Sequence, residues 1–188
     1  MIRKIKHIAL LGLLLPYFLV LPAHAQFSDT WEFLEAVEDG DYKEIMKRLG
    51  NGANINGLNG DGIPAVILAS EKRDMKMLRF LLEQGAKPDT TAETNGETAL
   101  IRRADAGDNE SIKALLEFGA NINARDNLGE TALIKAIRGR KTRTIQLLLD
   151  SGADPMISDY TGNDAFRHAE RSRGGRRILQ MLEKSRVN

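Results

Sequence analysis

The sequence predicts an all-α fold made of helix pairs stacked in a row, and three observations predict it. Gly-Ala pairs recur at Gly52-Ala53, Gly85-Ala86, Gly119-Ala120 and Gly152-Ala153, spaced by 33, 34 and 33 residues. An apolar helical ending precedes each pair, at Leu49, Leu81-Leu82, Leu115-Leu116 and Leu147-Leu148-Leu149. About ten residues after each pair another element opens, most clearly at Gly96-Glu97-Thr98-Ala99-Leu100-Ile101 and Gly129-Glu130-Thr131-Ala132-Leu133-Ile134.

Each part of the period has a physical reason. The first helix of a unit carries a small residue at its packed centre (Ala36, Ala69, Ala136, Ala169), which lets neighbouring units stack closely. Thr98 and Thr131 stand where a hydroxyl can accept a hydrogen bond from an orphan N–H of the next helix. The second helix carries apolar residues at helical spacing, such as Ile112, Leu115 and Leu116, or Ile145, Leu148 and Leu149. The glycine of the Gly-Ala pair then lies where a helix must stop in a left-handed conformation, which glycine adopts without a Cβ penalty. One such helix pair cannot bury its apolar face alone, whereas stacked neighbours form a continuous core. The third unit departs twice: it has one extra residue between Asp89 and Gly96, and Arg103 stands where the other four units have alanine.

Ahead of the repeats, Arg3, Lys4 and Lys6 give a basic start, followed by an apolar run from Ile8 to Leu21. Pro22 and Ala23-His24-Ala25 then supply a helix breaker and a small-x-small cleavage site. This is the layout of a secretory signal, residues 1–25, with cleavage expected after Ala25 and a repeat domain spanning 26–188. The apolar run is short for a bilayer span. A soluble periplasmic location is expected, with secretion as the alternative.

Composition narrows the chemistry. The chain has no cysteine, so disulfides, thiolate metal sites and a lipidated N-terminal cysteine are all ruled out. With His7 and His24 in the leader, His168 is the remaining histidine, so a triad or zinc site has poor materials. No catalytic residue, metal or cofactor is expected; His168 itself reads as a surface residue of a terminal helix. Charge is uneven: residues 26–123 hold 11 Lys+Arg against 18 Asp+Glu, and residues 124–188 hold 13 against 8. The basic end is a candidate anion-binding surface.

The pattern Gly-x-Thr-Ala-Leu-Ile … Leu-Leu-x-x-Gly-Ala-x-x-Asn resembles the ankyrin repeat over residues 31–182. The resemblance implies five helix-turn-helix repeats joined by hairpin-like loops, stacked into a slightly curved solenoid. Their expected bounds are 27–56, 57–89, 90–123, 124–156 and 157–188. The end repeats are degenerate, as capping repeats usually are, with Trp31 and Phe33 in place of the usual opening of the first. The Thr-Pro-Leu-His opening is nowhere complete. Ile67, Ile101 and Ile134 occupy the place of its histidine, so more apolar packing and fewer polar ties are expected there.

The resemblance also implies binding through hairpin tips and the exposed side of the first helices, on a concave face. In this register the partner-binding residues are Asp61, Ile63, Asn95, Glu97, Asn127, Leu128, Glu130, Tyr160 and Asn163, with Arg138 and Arg171 from the ends of the first helices. Arg103 is expected to reach an acidic neighbour such as Asp105 or Glu97, or to send its stem to the surface; an anion-reading arginine on the concave face is the alternative. A second cluster, Arg140, Lys141, Arg143, Arg173, Arg176 and Arg177, occupies the same turn in two adjacent repeats and is expected to form one basic patch with Arg138 and Arg171.

The function expected is non-catalytic protein–protein interaction by a monomer in the periplasm. The chain is similar to bacterial periplasmic ankyrin proteins, some of which support oxidative-stress enzymes such as catalase, which suggests an accessory role for an exported enzyme. The alternative is peripheral attachment to anionic lipid or lipopolysaccharide through the basic patch. Nucleic acid is not an expected partner, because no aromatic residues interleave with the arginines.

Overall fold

The computed structural model describes residues 23–186; most of the segment read as an export signal, 1–22, lies outside the described residues. Among the described residues ten α-helices follow one another as five pairs. They are α1 (Ala23–Asp39) with α2 (Tyr42–Gly50), α3 (Ala65–Glu71) with α4 (Met75–Glu83), and α5 (Ala99–Ala106) with α6 (Asn109–Glu117). Then come α7 (Ala132–Arg138) with α8 (Thr142–Asp150), and α9 (Ala165–Arg171) with α10 (Gly175–Ser185). The first helices α1, α3, α5, α7 and α9 pack in that order in one layer, and α4, α6, α8 and α10 in a second. Helix α1 runs through the cleavage point expected after Ala25.

The expected stops and starts are in place. Gly52, Gly85, Gly119 and Gly152 all have φ between 81° and 94°. Thr98 and Thr131 accept hydrogen bonds from the N–H groups of Ile101 and Ile134. Asp41, Asp74 and Asp108 cap the second helices α2, α4 and α6 in the same way. Replacing such a cap costs about 1 kcal/mol.

The core is one continuous strip shared by all five pairs. Leu78, Leu81, Leu100, Ile112, Leu115 and Leu148 are all fully buried, each stabilising by about 1.5–3 kcal/mol relative to exposure. Ala36, Ala69, Ala136 and Ala169 are buried in the first helices of their pairs, where the small side chain admits the neighbouring helix. Among the described residues no helix is long and apolar enough to cross a membrane.

Candidate interaction surface

The loops joining successive pairs are short hairpins, and one side chain shapes each. Asp126 Oδ1 accepts from the N–H groups of Leu128 and Glu130, both at 2.9 Å. Asp159 Oδ1 accepts likewise from Thr161 and Asn163, and Asn59 Oδ1 from Asp61 and Ile63. These residues recur at the repeat period and fold the loop around an Asx turn. In the hairpin of the third repeat Ala92 takes the place of Asp126 and Asp159, and the extra residue lets Asn95 bond the Glu97 N–H instead. Neighbouring tips are tied by backbone bonds: Glu93 N–H to Gly62 O, Asn127 N–H to Asn95 O, and Tyr160 N–H to Leu128 O, at 2.9–3.0 Å.

Behind the tips runs a chain of charges from repeat to repeat. Arg102 pairs with Glu71 at 2.6 Å and with Glu97 at 3.2 Å. Lys135 Nζ meets Glu97, Asp126 and Glu130 at 2.9, 3.0 and 3.1 Å. Glu130 also holds Arg138, and His168 Nε2 lies 2.8 Å from Asp159 Oδ2. Burial opposes the Lys135 charge, but hydrogen bonds to Glu97, Asp126 and Glu130 outweigh it and raise its pKa above the usual lysine value. Burial likewise opposes ionisation of Asp159, and bonds from Thr161, Asn163 and His168 reverse the balance, holding its carboxyl below the usual range.

On the outer side of the hairpins, asparagine and aspartate side chains of one repeat receive backbone N–H groups of the next. Asn56 accepts from Lys87, Asp89 from Asn121, and Asn123 from Asp154, at 2.8–3.0 Å. These bonds give the stack its register. Between the hairpin of the fifth repeat and the ends of α7 and α9 lies an open cleft of 420 Å³, lined by Arg138, Asp159, Thr161, Asn163, His168, Arg171 and Ser172. A second cleft, of 290 Å³, lies at the acidic end beside Trp31, Glu35, Glu38 and Asp61.

The repeat geometry is matched by a family model for ankyrin repeats, which aligns three times, over residues 33–126, 68–159 and 101–187. The chain belongs to the ankyrin-repeat family. Ankyrin repeats are protein–protein interaction modules, and this ankyrin protein falls in that functional class.

The ankyrin hairpins sort the expected contact residues into two groups. Asp61, Asn127, Leu128 and Tyr160 stand exposed at tips, with Leu128 61% and Tyr160 69% exposed. Those last two are adjacent, and the Arg125 guanidinium lies 4.7 Å from the Tyr160 ring centre, a cation–π contact. Arg138 and Arg171 are exposed and come together in the cleft between repeats four and five. Ile63, Asn95 and Asn163 are half-buried, Ile63 against the core and the other two in turn bonds. Glu130 departs from expectation: it is buried, with both carboxylate oxygens facing cations of its own chain. Glu97 is half-buried and held between Arg102 and Lys135. Glu97 ties the third repeat to the fourth through Lys135, whereas Glu130 is held by Lys135 and Arg138 within the fourth.

Three further readings are corrected. Arg103 reaches neither Asp105 nor Glu97: it is buried, donates to Ser70 O at 3.2 Å, and lies 3.9 Å from Glu71. Burial lowers its pKa. His168 is not a surface residue but a half-buried partner of Asp159. Ile67, Ile101 and Ile134 are buried as expected, yet polar ties are not fewer, because Arg102, Lys135 and His168 supply them one residue further along. That ladder was missed from sequence, although its signal is there: a basic residue stands just before each of Arg103, Ala136 and Ala169, and Asp126 and Asp159 are one period apart.

The remaining arginines lie at the turns between paired helices of repeats four and five. Among the described residues Arg140, Lys141, Arg143, Arg173, Arg176 and Arg177 form no ion pair. Arg140 has φ of 53° where the preceding repeat has Gly107 at 80°. An arginine in that region is strained by about 1–2 kcal/mol relative to glycine. Glu130, Asp159 and His168 bring potential metal-ligand atoms within 4.8 Å of one another. Lys135 and Arg138 already compensate Glu130, so a cation added there meets two resident positive charges.

Proposed function

We propose that this ankyrin protein acts in the periplasm of a Gram-negative bacterium as a rigid docking surface for a protein partner, accessory to an exported enzyme. The observation that carries the binding face is the Leu128–Tyr160 step. Two large side chains, 61% and 69% exposed, sit side by side on neighbouring tips whose backbones are bonded to each other. Pre-ordered aromatic and aliphatic tips lose little side-chain freedom on binding, and tyrosine is a favoured interface anchor. Export is supported by the basic start, apolar run and Ala23-His24-Ala25 segment.

The test uses the chain as bait in envelope extract, beside a variant carrying Leu128→Ala and Tyr160→Ala. A partner retained by the parent and lost from the variant supports this face; survival of every partner in the variant overturns it. Export is checked separately by fractionation and N-terminal sequencing. A periplasmic chain beginning at Gln26 is expected, and a cytoplasmic chain retaining residues 1–25 refutes the localisation.

A second reading is favoured by the arginines at the two turns, which form no ion pair among the described residues, and by the strained Arg140: peripheral attachment to an anionic envelope surface. It requires salt-sensitive binding to anionic vesicles that is abolished by reversing Arg173, Arg176 and Arg177 together. Vesicle binding that ignores those reversals sinks it.

A further inference from the structure

The cleft between repeats four and five differs from the rest of the surface in its chemistry. Its acidic member, Asp159, has both oxygens engaged inside the protein: Oδ1 by Thr161 and Asn163, Oδ2 by His168. What the cleft offers a visitor is therefore donors. Arg138 uses Nη1 on Glu130, and its Nε and Nη2 have no partner among the described residues. Arg171 has no ion pair or side-chain hydrogen bond among the described residues, although it lies within a cleft of 420 Å³ with Arg138. A guanidinium presents a planar fork of N–H groups that matches a carboxylate bidentately. Tyr160, next in the chain to Thr161 of the cleft, is exposed beside Leu128. A charged pocket thus borders an apolar step.

We propose that this cleft is a carboxylate-binding site that takes an acidic side chain of a peptide segment, while the Leu128–Tyr160 step holds an apolar residue next to it. The proposal rests on the protein-docking reading above and gives its partner a chemistry. Arg171 supplies the principal fork and Arg138 the second, the latter already oriented by Glu130. The turn arginines lie outside the cleft lining and set only the general attraction of this end for acidic partners.

The probe is the peptide acetyl-Leu-Glu-Glu-Leu-Glu-amide, titrated into the isotope-labelled chain and followed by amide resonances. Its glutamine counterpart and vesicles of phosphatidylglycerol are run in parallel. The acidic peptide is expected to shift Thr161, Asn163 and Ser172, and the glutamine peptide to bind at least about tenfold more weakly, since a charge-assisted pair contributes about one decade or more. Arg171→Gln is expected to weaken the acidic peptide by about tenfold or more. It removes no ion pair within the described residues, so the variant should remain folded. Replacing Arg173, Arg176 and Arg177 together by glutamine is expected to change affinity by about twofold or less at physiological salt.

Equal affinity for the two peptides overturns the proposal. So do shifts confined to the turns and lost with the triple replacement, or binding to vesicles alone. If a captured partner depends on Leu128 and Tyr160 but ignores Arg171→Gln and the competing peptide, the carboxylate site fails while the docking reading stands. If no partner depends on the tips, the docking reading fails, and the peptide titration still decides the cleft.

Discussion

Replacing Lys135 by methionine removes the cation that three carboxylates share while keeping most of the side chain's apolar length. Its Nζ lies 2.9–3.1 Å from Glu97, Asp126 and Glu130, and their side chains are 17%, 2% and 5% exposed. Taking one partner from a buried pair typically costs about 3–5 kcal/mol, because the other charge is left uncompensated. Here the loss is softened: Glu97 keeps Arg102 and Glu130 keeps Arg138, so only Asp126 loses its one cation. The expected cost of Lys135→Met is about 2–4 kcal/mol, or about 5–15 °C in Tm for a domain of this size. Urea unfolding at neutral pH measures it. Hydrogen exchange should show protection falling first in α5 and α7, the two helices this ladder joins. Adding Asp126→Asn should recover about 1 kcal/mol or more, a coupling read from the double-mutant cycle. A Lys135→Met chain within about 0.5 kcal/mol of the parent would refute the reasoning and return Glu97 and Glu130 to the list of solvent-facing contacts.

Other residues give sharper single outcomes. Arg103→Met keeps the buried stem and removes a charge held by one carbonyl and a distant carboxylate, so stability should rise by about 0.5–2 kcal/mol; a loss above about 1 kcal/mol contradicts the assignment. Asp159 has a folded pKa below its unfolded value of 3.8, so its contribution is complete above that pH and lost as pH falls from there through the folded value. Lys135 is raised above 10.5, so its contribution is complete below that pH and lost as pH climbs through the folded value. Asp159→Asn should therefore flatten the fall of stability below pH 3.8 and leave the alkaline limb unchanged, as read from urea midpoints against pH. Gly129 and Gly152 both have positive φ, but a Cβ on Gly129 would sit 2.8 Å from the Tyr160 backbone nitrogen, whereas one on Gly152 meets open space. Gly152→Ala should cost about 1–2 kcal/mol and Gly129→Ala clearly more, with loss of order at the hairpin of the fifth repeat; equal costs would show that the tips are not closely packed.

Much of this architecture is legible in the chain because its determinants are local and recur. The left-handed glycines and threonine caps each act within one helix pair, and the small alanines recur at the same period, so spacing alone places them. The tips Leu128 and Tyr160 are also legible, since a residue at the apex of a short hairpin has little around it to bury it. Glu97 and Glu130 misled for a related reason. They stand where the hairpin returns to the helix, and whether such a carboxylate faces water depends on the cations that packing brings to it: Lys135 of the next repeat for Glu97, Lys135 and Arg138 of its own repeat for Glu130. His168 and Arg103 were hidden in the same way, their partners Asp159 and Ser70 lying nine and thirty-three positions away.

By itself the sequence determined the repeat, its period, the ends of its helices, the electrical asymmetry of the chain and the signal-like segment before it. All of these follow from residue type and spacing along one chain direction. Only the tertiary structure decided which charges are used inside the stack and which remain for a visitor. Stacking brings Glu97 to Lys135 and Glu71 to Arg102, each one repeat away, while Glu130 and Asp159 are engaged by Arg138 and His168 of their own repeats. It leaves Arg171 in the cleft that Thr161 and Arg138 also line, without an ion pair among the described residues. Compensation of charge is a matter of distances across repeats, and those are fixed only when the repeats pack.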